Sequence, residues 1–155
     1  MPTLDGDSPL DSLTPEMIAR AVAERYGNVA TAPTDKHGFP VGRAFAEQVG
    51  YSKSLLDWAP SIVVDSFTGA GNPRPFIAAP LGAHALDIGC GVGLDALCTA
   101  REIGPTGTVV GLDFSESMID TATQGAKQAG LQNIRFVCAS AAKTPFVFRW
   151  GWIRQ

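Results

Sequence analysis

Histidine and cysteine are scarce in this chain, and their scarcity excludes whole classes of site. The 155 residues include two histidines and three cysteines. The cysteines, Cys90, Cys98 and Cys138, form neither a C-x-x-C pair nor a cluster with histidine. Neither a zinc site nor a disulfide framework is therefore predicted, and we expect no bound metal.

Basic clusters and long hydrophobic runs are also missing. Twelve lysines and arginines stand against fifteen acidic residues, with no basic run, so neither nucleic acid nor an anionic membrane is expected as a partner. No apolar run approaches the roughly 18 residues of a membrane span, and the acidic N-terminus is unlike a signal peptide. The composition, 45% hydrophobic and 17% charged, is typical of one globular domain. We expect a cytoplasmic protein.

The most informative stretch covers residues 84–97. An apolar run breaks into glycines at alternate positions, Gly89, Gly91 and Gly93, and a helix-forming segment follows. This order predicts a strand, a sharp turn and a helix, with glycine where a ligand lies against bare backbone. A second apolar run ends at Asp113, whose carboxylate can accept hydrogen bonds from two ribose hydroxyls. Together these features predict a nucleoside site.

Helices and strands alternate regularly after the glycine turn. The pattern predicts a helix that ends at residues 104–107, a strand over 108–112, a helix capped by Ser115, and a strand over 134–138. Upstream, the sequence predicts helices over residues 15–26 and 42–49, and a short helix within 51–60 that is capped by Ser52 and ends before Pro60. A second glycine-rich loop follows over 65–73.

Alternating strands and helices with short links predict an α/β fold with parallel strands and right-handed crossovers. This is the first half of a doubly wound sheet, because only residues 141–155 remain after the third strand. Two interpretations stay open: a C-terminal truncation, or a short protein whose aromatic tail covers the hydrophobic edge of the first strand. A homodimer is a third way of covering that edge.

Three blocks of this sequence resemble one enzyme family. The strings Leu86–Ala96 and Gly104–Met118, continued by residues 128–136, are similar to motifs of the class I S-adenosylmethionine-dependent methyltransferases. Within that family they look like the arsenite and quinone-biosynthesis methyltransferases. The resemblance is strong over residues 84–146. It implies a Rossmann-like fold, S-adenosylmethionine as the cofactor, and methyl transfer to a small-molecule acceptor.

The glycine spacing separates this reading from a dinucleotide site. Nicotinamide and flavin sites use G-x-G-x-x-G, whereas here the third glycine comes one place early and Leu94 follows it. A nucleotide-dependent oxidoreductase is therefore the less favoured alternative. Two further alternatives are a non-catalytic cofactor-binding module and a non-functional fragment.

The resemblance also implies residue roles. The glycines would let the methionine part of the cofactor lie over the turn, Asp87 would orient its amino group, and Asp113 would bind the ribose. Ser140 stands where the family usually has an acid that meets the adenine. No catalytic base is predicted. The predicted cofactor-binding residues are Asp87, Gly89, Cys90, Gly91, Gly93, Asp113, Phe114, Met118 and Ser140; Tyr26 and Asn72 are expected to approach from the N-terminal side.

The predicted organisation has four parts. Residues 1–13 form a disordered tail, 14–75 a helical segment that acts as a lid, 76–146 a partial cofactor-binding domain, and 147–155 a divergent aromatic tail. Cys90 is interpreted as a small residue at a helix start rather than as a nucleophile or an arsenic ligand. The arsenite enzymes bind arsenic through several cysteines, and residues 28–73 contain none, which argues against arsenite as the substrate.

Overall fold

A computed structural model describes residues 38–140 without a break, and residues 14, 17, 20–22, 24, 28, 29 and 32 before them. Within residues 38–140, three short helices come first: α1 (Arg43–Gln48), α2 (Lys53–Trp58) and α3 (Ser61–Asp65). A 3-10 turn, Arg74–Phe76, leads to β1 (His84–Ile88), α4 (Leu94–Ile103), β2 (Thr108–Asp113), α5 (Glu116–Gln128) and β3 (Ile134–Cys138).

The three strands form one parallel sheet in the order β1-β2-β3. Its register aligns Asp87 with Gly111 and Leu112 with Val137. Parallel neighbours need a crossover helix, and α4 and α5 provide the two crossovers. The carboxyl ends of β1 and β2 therefore lie side by side, where ligands bind in sheets of this kind. This is the Rossmann-like arrangement that the sequence predicts.

The main core lies between the N-terminal helices and the sheet's own helices. Leu56 and Val63, from α2 and α3, are buried in one cluster with Leu94, Leu97 and Met118. The contact between α3 and α5 is close, because a Cβ at Gly125 would lie 2.3 Å from Val63 Cγ2. The upstream segment is thus packed onto the sheet domain and helps to shape its ligand end.

Sequence patterns located most of these elements correctly. The three predicted strands are confirmed, as are α1, α2, α4 and α5, with Ser52 and Ser115 accepting the capping hydrogen bonds from Leu55 N and Met118 N. Helix α3 was not predicted, because its Ile-Val-Val run is β-branched and has low helix propensity. Its formation depends on packing against α5.

Several predictions concern residues that the structure does not describe. In the helix predicted over 15–26, residues 17, 20–22 and 24 are helical. Tyr26, residues 1–13 and residues 141–155, which include the predicted aromatic tail, lie outside the described residues. Within the described chain, β1 is at the edge of the sheet, with Leu86 and Ile88 exposed. None of the described helices is both long and apolar enough to span a membrane.

Candidate functional site

A cavity of about 280 Å³ opens at the carboxyl ends of β1 and β2. The glycine turn forms its floor, the end of β2 and the start of α5 form one side, and a loop after α3, residues 67–70, forms another. Seven of the nine predicted cofactor-binding residues line it: Asp87, Gly89, Cys90, Gly91, Asp113, Phe114 and Met118.

The glycine turn is fixed by the neighbouring strand. The backbone N–H groups of Gly89 and Cys90 both donate to the carbonyl of Leu112, at 2.8 and 2.9 Å. Gly89 and Gly91 have φ values of 74° and 53°, and a Cβ added at either would meet nothing within 4 Å. Both positions therefore need glycine for their backbone conformation and leave their outer side open to the cavity.

Asp113 joins the end of β2 to the glycine turn. Its Oδ2 accepts a hydrogen bond from Gly91 N, and its Oδ1 accepts one from Ser115 N, both at 2.9 Å. The side chain is buried, with 8% of its surface exposed. Each carboxylate oxygen can accept a second hydrogen bond, so the group is held rigidly while it keeps capacity for a ligand's hydroxyls.

Comparison with known proteins shows what this arrangement is similar to. Residues 85–149 match the family described as Methyltransferase domain. This part of the chain matches the class I S-adenosylmethionine-dependent methyltransferases. An arsenite methyltransferase of Halobacterium salinarum is 30% identical over 151 residues, which cover 85% of this chain and 37% of that protein. A demethylmenaquinone methyltransferase of Geobacillus kaustophilus is 42% identical over 65 residues, which cover 42% of this chain and 28% of that protein.

The fold of these methyltransferases extends over most of the chain. A phosphoethanolamine N-methyltransferase of Haemonchus contortus, solved with phosphoethanolamine and S-adenosylhomocysteine, superposes with a TM-score of 0.56 at 14% identity. The match covers 86% of this chain and 24% of that one. The chain thus spans well under two thirds of the proteins that it resembles.

S-adenosylmethionine is the cofactor of this methyltransferase family, and the residues present fit it. The cofactor carries a sulfonium and an ammonium group, and three carboxylates, those of Asp87, Asp95 and Asp113, line the cavity. The open glycine positions leave room above the turn. Favourable charge and free space thus occur at the same place, next to an acid at the tip of the second strand.

The acidic side chains that line this cavity repel one another. The pKa of Asp87 is raised to about 6, first by burial and then by the negative charges of Asp95 and Asp113. Burial likewise raises the pKa of the Cys90 thiol, so that Cys90 is a neutral thiol rather than a nucleophile at neutral pH. Burial also raises the pKa of Cys98 to about 12.

Asp87 is expected to make the protein less stable as the pH rises. Between about pH 4 and pH 6 the folded protein retains a proton on Asp87 that the unfolded chain has released. The free energy of unfolding should therefore fall across this window, by about 3 kcal/mol, and the loss should be complete above it. Denaturant unfolding at a series of pH values measures this fall. Asp87→Asn should reduce it strongly and leave only the contribution of Asp95, whose pKa is also raised by burial.

The matched control for this pH series is Asp120→Asn, since Asp120 is exposed on α5, outside the cavity. The control should retain the wild-type fall. An Asp87→Asn profile that still falls by the wild-type amount would show that another group is responsible.

Two predicted residues lie outside the cavity lining. Gly93 is buried beneath the turn, where an added Cβ would be 2.7 Å from the Phe136 ring, and Ser140 is exposed after β3. Asn72 donates to the Gly50 carbonyl at 2.9 Å and accepts from Arg74 N at the same distance. Asn72 therefore stabilises its own loop through hydrogen bonds to backbone groups.

Two parts of the cavity lining are not among the predicted site residues. One is the stretch 67–70, which was predicted only as part of a glycine-rich loop within the lid segment. The other is Asp95, in the first turn of α4, whose Oδ2 accepts a 2.8 Å hydrogen bond from the Tyr51 hydroxyl. Asp95 had one available signal, because it is an acid two residues after the last glycine of the turn. Nothing local marks its pairing with Tyr51, since the two are 44 positions apart.

Proposed function

We propose that this chain binds S-adenosylmethionine in the cavity above the glycine turn and acts in methyl transfer to a small-molecule acceptor. The observation that carries the proposal is the joint position of the open glycine turn and Asp113, bonded to each other through Gly91 N. Membership of residues 85–149 in a methyltransferase family supports it. The acid-lined cavity suits a cofactor with two positive groups.

Each predicted residue receives a role in this proposal. Asp113 accepts hydrogen bonds from the ribose hydroxyls, while Gly89 and Gly91 leave room for the methionine part. Phe114, 41% exposed at the cavity edge, and Met118 border the adenine. The remaining proposed contacts are those of Asp87, Cys90, Gly93 and Ser140. Gly93 and Ser140 lie outside the cavity lining, so the cofactor would have to reach beyond the cavity to contact them.

The cofactor, when bound, supplies an activated methyl group on its sulfonium. The residues of this chain then have to hold the donor and exclude water. Phe67 and the loop after it contribute to exclusion, since they form the wall opposite the sheet. The lid predicted for residues 14–75 is consistent with this wall, although only part of that segment is described.

The acceptor is proposed as a small molecule of unspecified class. The names of the similar proteins indicate two chemistries, arsenite and a demethylmenaquinone, for those proteins. The three cysteines of this chain do not form a cluster with one another or with acidic residues in the described part of the structure. The proposal therefore does not extend to arsenite.

Isothermal titration calorimetry with S-adenosylhomocysteine tests the binding step. We expect heat of binding at one site per chain, and no heat with NAD under the same conditions. Circular dichroism on the same sample establishes that the protein is folded. Folded protein that gives no heat with S-adenosylhomocysteine would overturn the proposal, and heat with NAD alone would favour an oxidoreductase.

A further inference from the structure

Asp95 is a cavity residue whose carboxylate is only half satisfied. Its Oδ2 accepts the Tyr51 hydroxyl, and its Oδ1 is buried without a hydrogen-bond partner among the described residues. A buried carboxylate oxygen without a donor destabilises the folded state. Because Asp95 lines the cavity, a ligand there that reaches this oxygen with a strong donor would remove the penalty. An ammonium group is the strongest such donor for a carboxylate.

The described groups around Asp95 hold it in place without forming an ion pair with its carboxylate. Tyr51 is 3% exposed and packs edge-on against Phe67, with ring centroids 5.1 Å apart. Burial raises the pKa of its hydroxyl, which therefore stays protonated and donates. The guanidinium of Arg74 donates to the main-chain oxygen of Asp95 at 3.4 Å, to Thr99 Oγ1 at 2.8 Å and to Glu102. Arg74 therefore supports the start of α4 from the side and bonds to its backbone.

Two of the cavity's acids flank the glycine turn. Asp87 is in β1, just before the turn, and Asp95 is in the first turn of α4, just after it. Both line the cavity together with Asp113. A ligand whose ribose is held by Asp113 and whose chain extends over the glycine turn would therefore approach Asp87 and Asp95.

We propose that Asp95 is a binding residue for the ammonium group of the cofactor's methionine part, and that Tyr51 positions its carboxylate. This rests on the proposed function, since it takes the ribose to be held by Asp113. Asp87, to which the family resemblance assigns the same group, shares it, because an ammonium has three donors and each carboxylate needs one.

Two ligands that differ in the amino-acid part test the assignment. S-adenosylhomocysteine carries the ammonium, whereas methylthioadenosine has the same nucleoside and sulfur without it. For Asp95→Asn we expect the affinity for S-adenosylhomocysteine to fall about tenfold or more, with that for methylthioadenosine unchanged. Asn keeps the size of the side chain and an acceptor for Tyr51. Calorimetry on the full chain measures both affinities.

Tyr51→Phe is the second variant, in case Asp95→Asn does not fold. It keeps the ring that packs against Phe67 and removes the hydroxyl, so the selective loss should be present but smaller. Asp120→Asn, on the exposed side of α5, is the control and should bind both ligands as the wild type does.

A selective loss for S-adenosylhomocysteine supports the assignment. Equal losses for both ligands, or no loss for either, would overturn it, since the first indicates a general structural role and the second no contact. A wild-type chain that binds methylthioadenosine and S-adenosylhomocysteine equally well would also overturn it. Folded wild type that binds neither ligand would overturn the proposed function, and this inference with it.

Discussion

Replacing Asp113 by asparagine is expected to lower the affinity for S-adenosylhomocysteine by about tenfold to a hundredfold, the range expected for losing charge-assisted hydrogen bonds to the ribose. The same change should reduce the free energy of unfolding. Both oxygens of Asp113 accept backbone N–H groups, from Gly91 and Ser115. An amide has only one oxygen, so one of the two backbone N–H groups would face the NH₂ group of the asparagine. We expect this to lower the free energy of unfolding by about 1–3 kcal/mol.

The two effects can be separated by experiment. Calorimetry is performed at a temperature where circular dichroism shows Asp113→Asn to be folded, and denaturant unfolding gives its stability. Glu116→Gln is the matched control, because Glu116 is also acidic and close in sequence but exposed on α5. It should bind as the wild type does. A folded Asp113→Asn with undiminished affinity would leave Asp113 a purely structural role.

The part of the site formed by the glycine turn could be predicted because its determinants are local. The end of β1, three alternating glycines and the start of α4 are contiguous, and each glycine has a positive φ. Asp113 ends the next strand, and parallel pairing brings neighbouring strand ends together. The bounds of β1, β2 and β3 follow for the same reason, since each is a short apolar run between turn residues.

The sequence predicts a glycine-rich loop over 65–73 and a lid over 14–75, but it does not show which of these residues line the cavity, because their position depends on tertiary packing. Residues 67–70 follow α3, a β-branched segment that no local pattern marks as helical. The Tyr51–Asp95 hydrogen bond joins residues 44 positions apart, and no local sequence pattern relates residues at that distance. The roles of the individual cofactor-binding residues remain predictions.

Two glycines of the turn, Gly93 and Gly91, are expected to respond differently to alanine. At Gly93, φ is 83° and a Cβ would lie 2.7 Å from Phe136 Cζ and 3.0 Å from Ala122 Cβ. Gly93→Ala should therefore lose about 2–4 kcal/mol of unfolding free energy, from left-handed strain and overpacking together. At Gly91 a Cβ meets no protein atom within 4 Å. Gly91→Ala should lose only the strain, about 1–2 kcal/mol, but should weaken S-adenosylhomocysteine binding because its methyl group enters the cavity.

Gly130→Ala provides the control for backbone strain, because Gly130 has a φ of 68°, an open surrounding and a position outside the cavity. Its stability loss should equal that of Gly91→Ala, with wild-type binding. The loss of unfolding free energy in Gly93→Ala beyond that in Gly130→Ala then measures the packing beneath the turn. The loss of S-adenosylhomocysteine affinity in Gly91→Ala beyond that in Gly130→Ala measures the contact above the turn. Equal stabilities for Gly93→Ala and Gly130→Ala would refute the packing role. Wild-type affinity in Gly91→Ala would mean that the cofactor does not lie against the turn, because a methyl group at that position has only the cavity to occupy.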